Sequence, residues 1–180
     1  MSGQDAGRGG PRPTTSTDGP HRQLDQCAPA AVWGELVAAT FEMDGVVEGH
    51  SQVSPPSSRA VFLTDLLKER SAETSLAPGR RPEPVHLHGV HDTSIHLVLP
   101  ADRGDQLVEL GWAEPHQHGD FGTEWMVYGP RNRHELEVIL GLIAESIAFA
   151  RGDSCLDGQR DAVQNVVLAG DHVGQDATGA

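Results

Sequence analysis

From Val85 to Leu99 the chain reads Val-His-Leu-His-Gly-Val-His-Asp-Thr-Ser-Ile-His-Leu-Val-Leu, two short runs in which imidazole and aliphatic side chains alternate. A period of two fits an extended backbone, since a helix would scatter these residues around its axis. Val85 and Leu87 then face one way and His86 and His88 the other. In the second run Ile95, Leu97 and Leu99 form an apolar row, with Ser94, His96 and Val98 on the opposite side. A hairpin turning through Gly89 to Thr93 gathers three imidazoles on one surface and leaves His91 in the turn. The apolar face of such a hairpin must be covered, which already calls for a helix or a second sheet.

The covering helices are visible in the pattern. Val32, Trp33, Leu36, Val37, Thr40 and Phe41 recur at helical spacing and predict a helix over 28–43, ended by Gly45. A longer helix starts at Asn132, with Glu135 three residues on as in a capping box. Leu136, Ile139, Leu140, Ile143 and Ile147 form its stripe and Gly152 its stop. Strands are expected over 46–53 and 59–64 around Ser-Pro-Pro-Ser-Ser, and over 125–128. Helical segments are expected over 65–75 and 101–110, with 76–84 and 111–118 as loops. Strands and helices in this order, with hairpins and no regular strand-helix-strand alternation, give an α+β fold: a mainly antiparallel sheet packed against two or three helices.

The 180 residues suit one domain with loose ends. Residues 1–23 are mostly Gly, Pro, Ser, Thr and polar, and 152–180 mostly Asp, Gly, Gln and Ala, so both are expected to be disordered, the second as a flexible acidic tail. The folded part is placed at 24–151. A formal charge of −13, with Arg80-Arg81 the only adjacent basic pair, excludes a nucleic-acid partner and disfavours an anionic membrane. With no apolar run of spanning length and no signal-peptide core, the expected location is the cytoplasm. Cys27 and Cys155 lie at opposite ends of the folded part and give neither a disulfide framework nor a thiolate metal site.

Two chemistries suit the histidines. An imidazole near its ordinary pKa can take a proton from an acidic hydroxyl, so a group of them facing a pocket suits general-base work, with His88 or His96 as the base. His86, His88 and either His91 or His96 would also make an acceptable zinc or iron ligand set, with Asp92, Glu114 or Asp120 as a further ligand or a supporting carboxylate. Against both stands a plain wet strand face. The segment Gly111-Trp112-Ala113-Glu114-Pro115-His116-Gln117-His118 adds an aromatic ring, a carboxylate and two more imidazoles; His118 reads as solvated, and Trp112 reads as core ahead of a stacking platform. Arg131 and Arg133 sit where a helix dipole prefers negative charge. Arg131 therefore calls for an anionic ligand or a structural carboxylate.

At these residues the chain resembles the luciferase domain named after the fungal luciferases. The matching pieces are the run His86 to Leu97, Gly111-Trp112 with His116, Thr123-Glu124-Trp125, and Tyr128-Gly129-Pro130-Arg131-Asn132, in order, over roughly 81–152. Fungal luciferases oxidise a hydroxypyrone with molecular oxygen without an added cofactor, so the resemblance implies a similar pocket. The chain departs from the fungal pattern in the loop Ala113-Glu114-Pro115 and Gln117-His118, and is expected to lack their membrane-anchoring segment, so light emission is not carried over. The combined expectation is a domain that binds a small acidic organic molecule and, in the further step the resemblance implies, oxidises it without cofactor or metal. His88, His96 and Arg131 are the expected catalytic groups; His86, His91, Trp112, Glu114, His116 and Tyr128 are the expected substrate contacts. A metal-dependent enzyme and a non-catalytic binding module are the alternatives.

Overall fold

The computed structural model describes residues 6–153. In chain order the elements are α1 (Ala30–Phe41), β1 (Val46–His50), β2 (Arg59–Leu63), β3 (Val85–Leu87), β4 (Ile95–Val98), α2 (Ala101–Glu109), β5 (Ala113–Pro115), β6 (Glu124–Val127) and α3 (Arg133–Arg151). The strands form one antiparallel sheet in the order β1-β2-β3-β4-β6-β5, and the fold is α+β.

Register fixes what each face of the sheet carries. His86 lies opposite His96, Leu87 opposite Ile95 and Val85 opposite Leu97. The ladder continues past β3, with the His88 N–H donating to the Ser94 carbonyl at 3.1 Å and the turn closed by Asp92 N–H to Gly89 O. On the neighbouring strands Ala60 is aligned with His86, Met126 with His96, and Glu114 with Met126. Because side chains aligned across a ladder share a face, one side of the sheet carries Ala60, His86, His96, Met126 and Glu114. The other side carries Val61, Leu63, Val85, Leu87, Ile95, Leu97, Trp125 and Val127, which belong to a single buried core with α1 and α3. A one-residue slip would exchange the two sets.

The helices meet that apolar face as their patterns require. Leu136, Ile139, Ile143 and Ile147 of α3 are buried as expected, but Leu140 is only half-buried, and Val138 and Leu142 take the remaining buried positions. Asn132 caps α3 by accepting the Glu135 N–H at 3.0 Å, and Gly152 at φ 76° closes it in the left-handed region. The second half of a capping box does not form. Glu135 instead accepts from the Arg131 N–H.

Three local expectations are corrected. Residues 65–75 hold only a 3-10 turn at Ala72–Thr74, since Leu66 alone in this polar stretch packs against the core and Leu67 is 74% exposed. Ala113–Pro115, read as a loop, is the edge strand β5. Residues 6–23, read as loose, are packed on the domain. Arg8 is buried with its Nε 3.3 Å from Glu135 and its Nη2 donating to the Gly129 carbonyl, Trp112 Nε1 donates to the Ala6 carbonyl, and Gln23 exchanges hydrogen bonds with Asp92 and Gly129. These ties are polar and long-range, so they leave no periodic trace in the sequence. Residues 1–5 and the expected tail beyond 153, with Cys155, lie outside the described residues. Among the described residues no helix is long and apolar enough to cross a membrane.

Gly104, an unfavourable residue inside α2, is explained by close approach: a Cβ there would sit 1.8 Å from the Trp125 ring. Gly34, in α1, has open space around it. Gly104→Ala is therefore expected to destabilise the fold by about 3 kcal/mol or more through overpacking, whereas Gly34→Ala should stabilise it by about 0.5–1 kcal/mol. Urea unfolding of the two variants checks this, and equal midpoints would contradict the packing.

Candidate functional site

The face opposite the helices holds the histidines. His86 and His88, two residues apart on β3 and its extension, stack with ring centroids 5.4 Å apart and an interplanar angle of 5°. His96 on β4 lies 4.9 Å from the His86 ring and 4.5 Å from the His88 ring. The three imidazoles expected to share a surface do so, and all three are buried. They are not a wet strand face. The connection between β1 and β2 folds over one side of them, and the N-terminal segment brings in a further ring, His21, whose centroid is 5.8 Å from that of His96 and 5.4 Å from that of His116. His116, following β5, is 4.6 Å from His96. These five imidazoles, with the exposed His118 as a sixth, line a cavity of about 320 Å3, with Val53, Pro55, Leu76 and Pro78 supplying apolar wall.

Carboxylates stand behind three of these rings. Glu83, fully buried, accepts from His86 Nδ1 at 2.9 Å, from Ser51 Oγ at 2.6 Å and from the Gln52 N–H at 2.8 Å. Asp92 accepts from His88 Nδ1 at 2.5 Å, from Ser94 Oγ and from the Gln23 N–H. Glu114 accepts from His21 Nε2 at 2.5 Å and from the Tyr128 hydroxyl at 2.9 Å. Each such bond fixes a tautomer, because an ionised carboxylate only accepts. In His86 and His88 the proton is held on Nδ1, so Nε2 keeps its lone pair. His88 Nε2 accepts from Ser54 Oγ at 3.1 Å, whereas His86 Nε2 and His96 Nε2 are buried without a hydrogen-bond partner among the described residues.

Burial governs the charges. It lowers the pKa of His86 despite the opposing pull of Glu83, and it holds His96 well below the usual imidazole range, helped by the neighbouring rings. His116 is lowered to about 4 by burial and then by the surrounding histidines, and Glu124, 3.7 Å from His116, is raised to about 7 by burial. At neutral pH His86, His96 and His116 are thus uncharged imidazoles. Tyr128 is pushed upward by burial and by the Glu114 carboxylate.

The expected site residues divide sharply. His86, His88, His96 and His116 line the cavity, and Glu114 supports it from behind His21. His91 does not join them, being exposed in the turn. Trp112 is a buried core residue, and Tyr128, also fully buried, binds Glu114 rather than facing the cavity. Arg131 is not at the cavity. Its Nε donates to Glu135 Oε1 at 2.7 Å and its Nη2 to the Gly9 carbonyl, so the structural carboxylate anticipated as its alternative partner holds it. Arg133 pairs with Glu35 at the surface. His118, read as solvated, lines the cavity with Asp120 and Glu124. His21, Glu83, Ser54 and Glu124 were not anticipated. Glu83 had a signal, a carboxylate three residues before the first imidazole; His21 had none, being 65 residues or more from every other member of the group.

The family described as "Luciferase domain" matches residues 81–146, which contain β3 to most of α3. Residues 81–146 belong to the luciferase domain family. Proteins named luciferase from Armillaria ostoyae and Armillaria gallica are each 30% identical to this chain over 164 residues, covering 81% of it and 61% of their own length. The luciferase of Neonothopanus nambi is 34% identical over 77 residues, 39% of this chain and 29% of that protein. The chain thus spans about three fifths of the length of the Armillaria relatives. No solved structure gives a significant match.

A pH dependence follows from the buried imidazoles. The folded pKa values of His86, His96 and His116 lie below the unfolded value near 6.5, so at these groups the unfolded chain takes up protons first and stability falls as pH drops through about 6.5. The shifts of His116 and Glu124 are similar in size and opposite in sign and largely cancel, leaving His86 and His96 to set the trend. As pH falls below 6.5 each therefore costs stability, His96 over the wider range because its pKa is held further down. Urea midpoints of metal-free protein should fall over this range and fall less in His96→Gln; a midpoint independent of pH would contradict the buried, neutral cluster.

Proposed function

We propose that the imidazole-lined cavity binds a small acidic enol or phenol and supports its oxidation by molecular oxygen. The observation that carries this reading is the cluster itself: four buried imidazoles and the half-buried His116 around one cavity, with no arginine or lysine among the described residues that line it. Neutral imidazoles accept a proton from an acidic hydroxyl, and the resulting electron-rich anion can react with oxygen in a site that excludes water. The volume of about 320 Å3 is at the small end of ligand pockets and suits one or two rings. The luciferase-named relatives support the same direction, since their similarity includes the histidine run.

The reading differs from the sequence expectation in how the anion is held. Arg131 is committed to Glu135, so the anion must be met by imidazole N–H groups or by a cation bound among the rings. The walls are aliphatic and proline side chains rather than Trp112 and Tyr128.

Purified protein is expected to bind members of a panel of hydroxypyrones and polyphenols and to consume oxygen with at least one. In His116→Ala the binding should weaken at least tenfold, because that ring faces the cavity without a carboxylate hydrogen-bonded to it in support of the fold. Absence of both binding and oxygen uptake across the panel would remove the proposal.

A further inference from the structure

We infer that His86, His88 and His96 bind one divalent transition-metal ion. For its role the ion rests on the oxidising cavity proposed above; for its existence it does not. One ring nitrogen from each of the three histidines lies within 4.8 Å of the other two, and all three side chains are buried. Imidazole nitrogens bound at about 2.0–2.1 Å around a tetrahedral ion would place ring centroids roughly 5 Å apart. The observed centroid separations are 4.5, 4.9 and 5.4 Å. The spacing is thus near what a shared ion imposes, while the stacked, near-parallel His86 and His88 rings must tilt for both lone pairs to converge on it.

Three further observations point the same way. His86 Nε2 and His96 Nε2 are buried without hydrogen-bond partners. A buried lone pair left unmade costs free energy that a ligand bond would recover. His86 and His88 each give Nδ1–H to a carboxylate, Glu83 and Asp92, and this leaves Nε2 as the donor atom; metal-bound histidines are held by the same carboxylate arrangement. Finally, among the described residues neither Glu83 nor Asp92 is paired with an arginine or lysine. The two carboxylates behind the rings are balanced by one divalent cation in front of them.

His21, His96 and His116 also approach one another within 4.8 Å, but they make a poorer set. His21 spends Nε2 on Glu114 and accepts the Gln117 N–H on Nδ1, and His116 Nδ1 accepts the His118 N–H. Those rings remain on the cavity side, where a substrate would meet both them and the ion's open position. Three imidazoles select a borderline ion such as zinc, iron(II), cobalt(II) or copper(II) over magnesium or calcium. The oxygen chemistry proposed above favours a redox-active member of that group. Ser54 Oγ, now on His88 Nε2, has Ser58 Oγ at 2.8 Å as a second partner and can give up the ring without being stranded.

The test is Co2+ titration of full-length, chelator-stripped, tag-free protein, followed by visible absorption and by calorimetry. One equivalent should bind, with the intense d–d bands of a tetrahedral nitrogen site. His96→Gln should abolish the bands. Glu83→Gln, which keeps the shape of the ring's partner, should weaken affinity about 10–100-fold. His91→Ala, in the exposed turn, should bind as the parent does. Sub-stoichiometric binding by the parent, or equal losses in His91→Ala and His96→Gln, would overturn the site. If circular dichroism finds His96→Gln unfolded, Glu83→Gln and the parent stoichiometry decide. Stoichiometric metal without oxygen uptake would leave the metal site standing and remove the oxidation reading. Oxygen uptake by protein that binds no metal would do the reverse.

Discussion

The antiparallel pairing of β3 with β4 is the constraint on which the rest depends. With His86 opposite His96, Val85, Leu87, Ile95 and Leu97 point toward α1 and α3, and the imidazoles of the two strands point the other way. Burial of Val85, Leu87, Ile95 and Leu97, each fully excluded from solvent, stabilises this register by roughly 1.5–3 kcal/mol per side chain. A slipped register would forfeit that burial while forcing imidazoles into the core. The hydrophobic side of the sheet thus determines the chemistry of its other side, although no core residue touches the cavity.

The same pairing explains why buried imidazoles can be tolerated. A polar ring taken out of water needs partners, and the strand face supplies rows into which carboxylates can be set: Glu83 at the entry to β3, Asp92 in the turn, Glu114 on β5. The two chain segments that cover the face, the β1–β2 connection and the N-terminal stretch through His21 and Gln23, bring hydroxyl and amide donors to those carboxylates. Covering the face therefore closes the cavity and satisfies the supporting anions together.

Much of this was legible in the sequence, for physical reasons that differ by element. The hairpin could be read because alternation is a local property, and α3 because its stripe, its Asn132 cap and its Gly152 stop all agree. Residues 6–23 could not, because they dock through Arg8, His21 and Gln23 to partners some 70 to 130 residues away, without periodicity. Trp112 and Tyr128 were misplaced as cavity walls for a related reason, since the N-terminal segment that accepts from Trp112 Nε1 at Ala6 and sets Arg8 over the Tyr128 ring leaves no trace beside them in the sequence. Arg131 was placed by its charge at a helix start. A carboxylate one turn on, Glu135, satisfies that charge within the fold.

The central claim is that the histidines form one buried group with fixed tautomers. Long-range nitrogen–proton correlation spectra of the metal-free protein, with histidine rings labelled, test it most directly. The account predicts His86 and His88 as Nδ1–H tautomers and His21 as the Nε2–H tautomer, with ring-to-ring contacts among His86, His88 and His96. Rings in fast tautomer exchange that titrate together near 6.5, without mutual contacts, would contradict it.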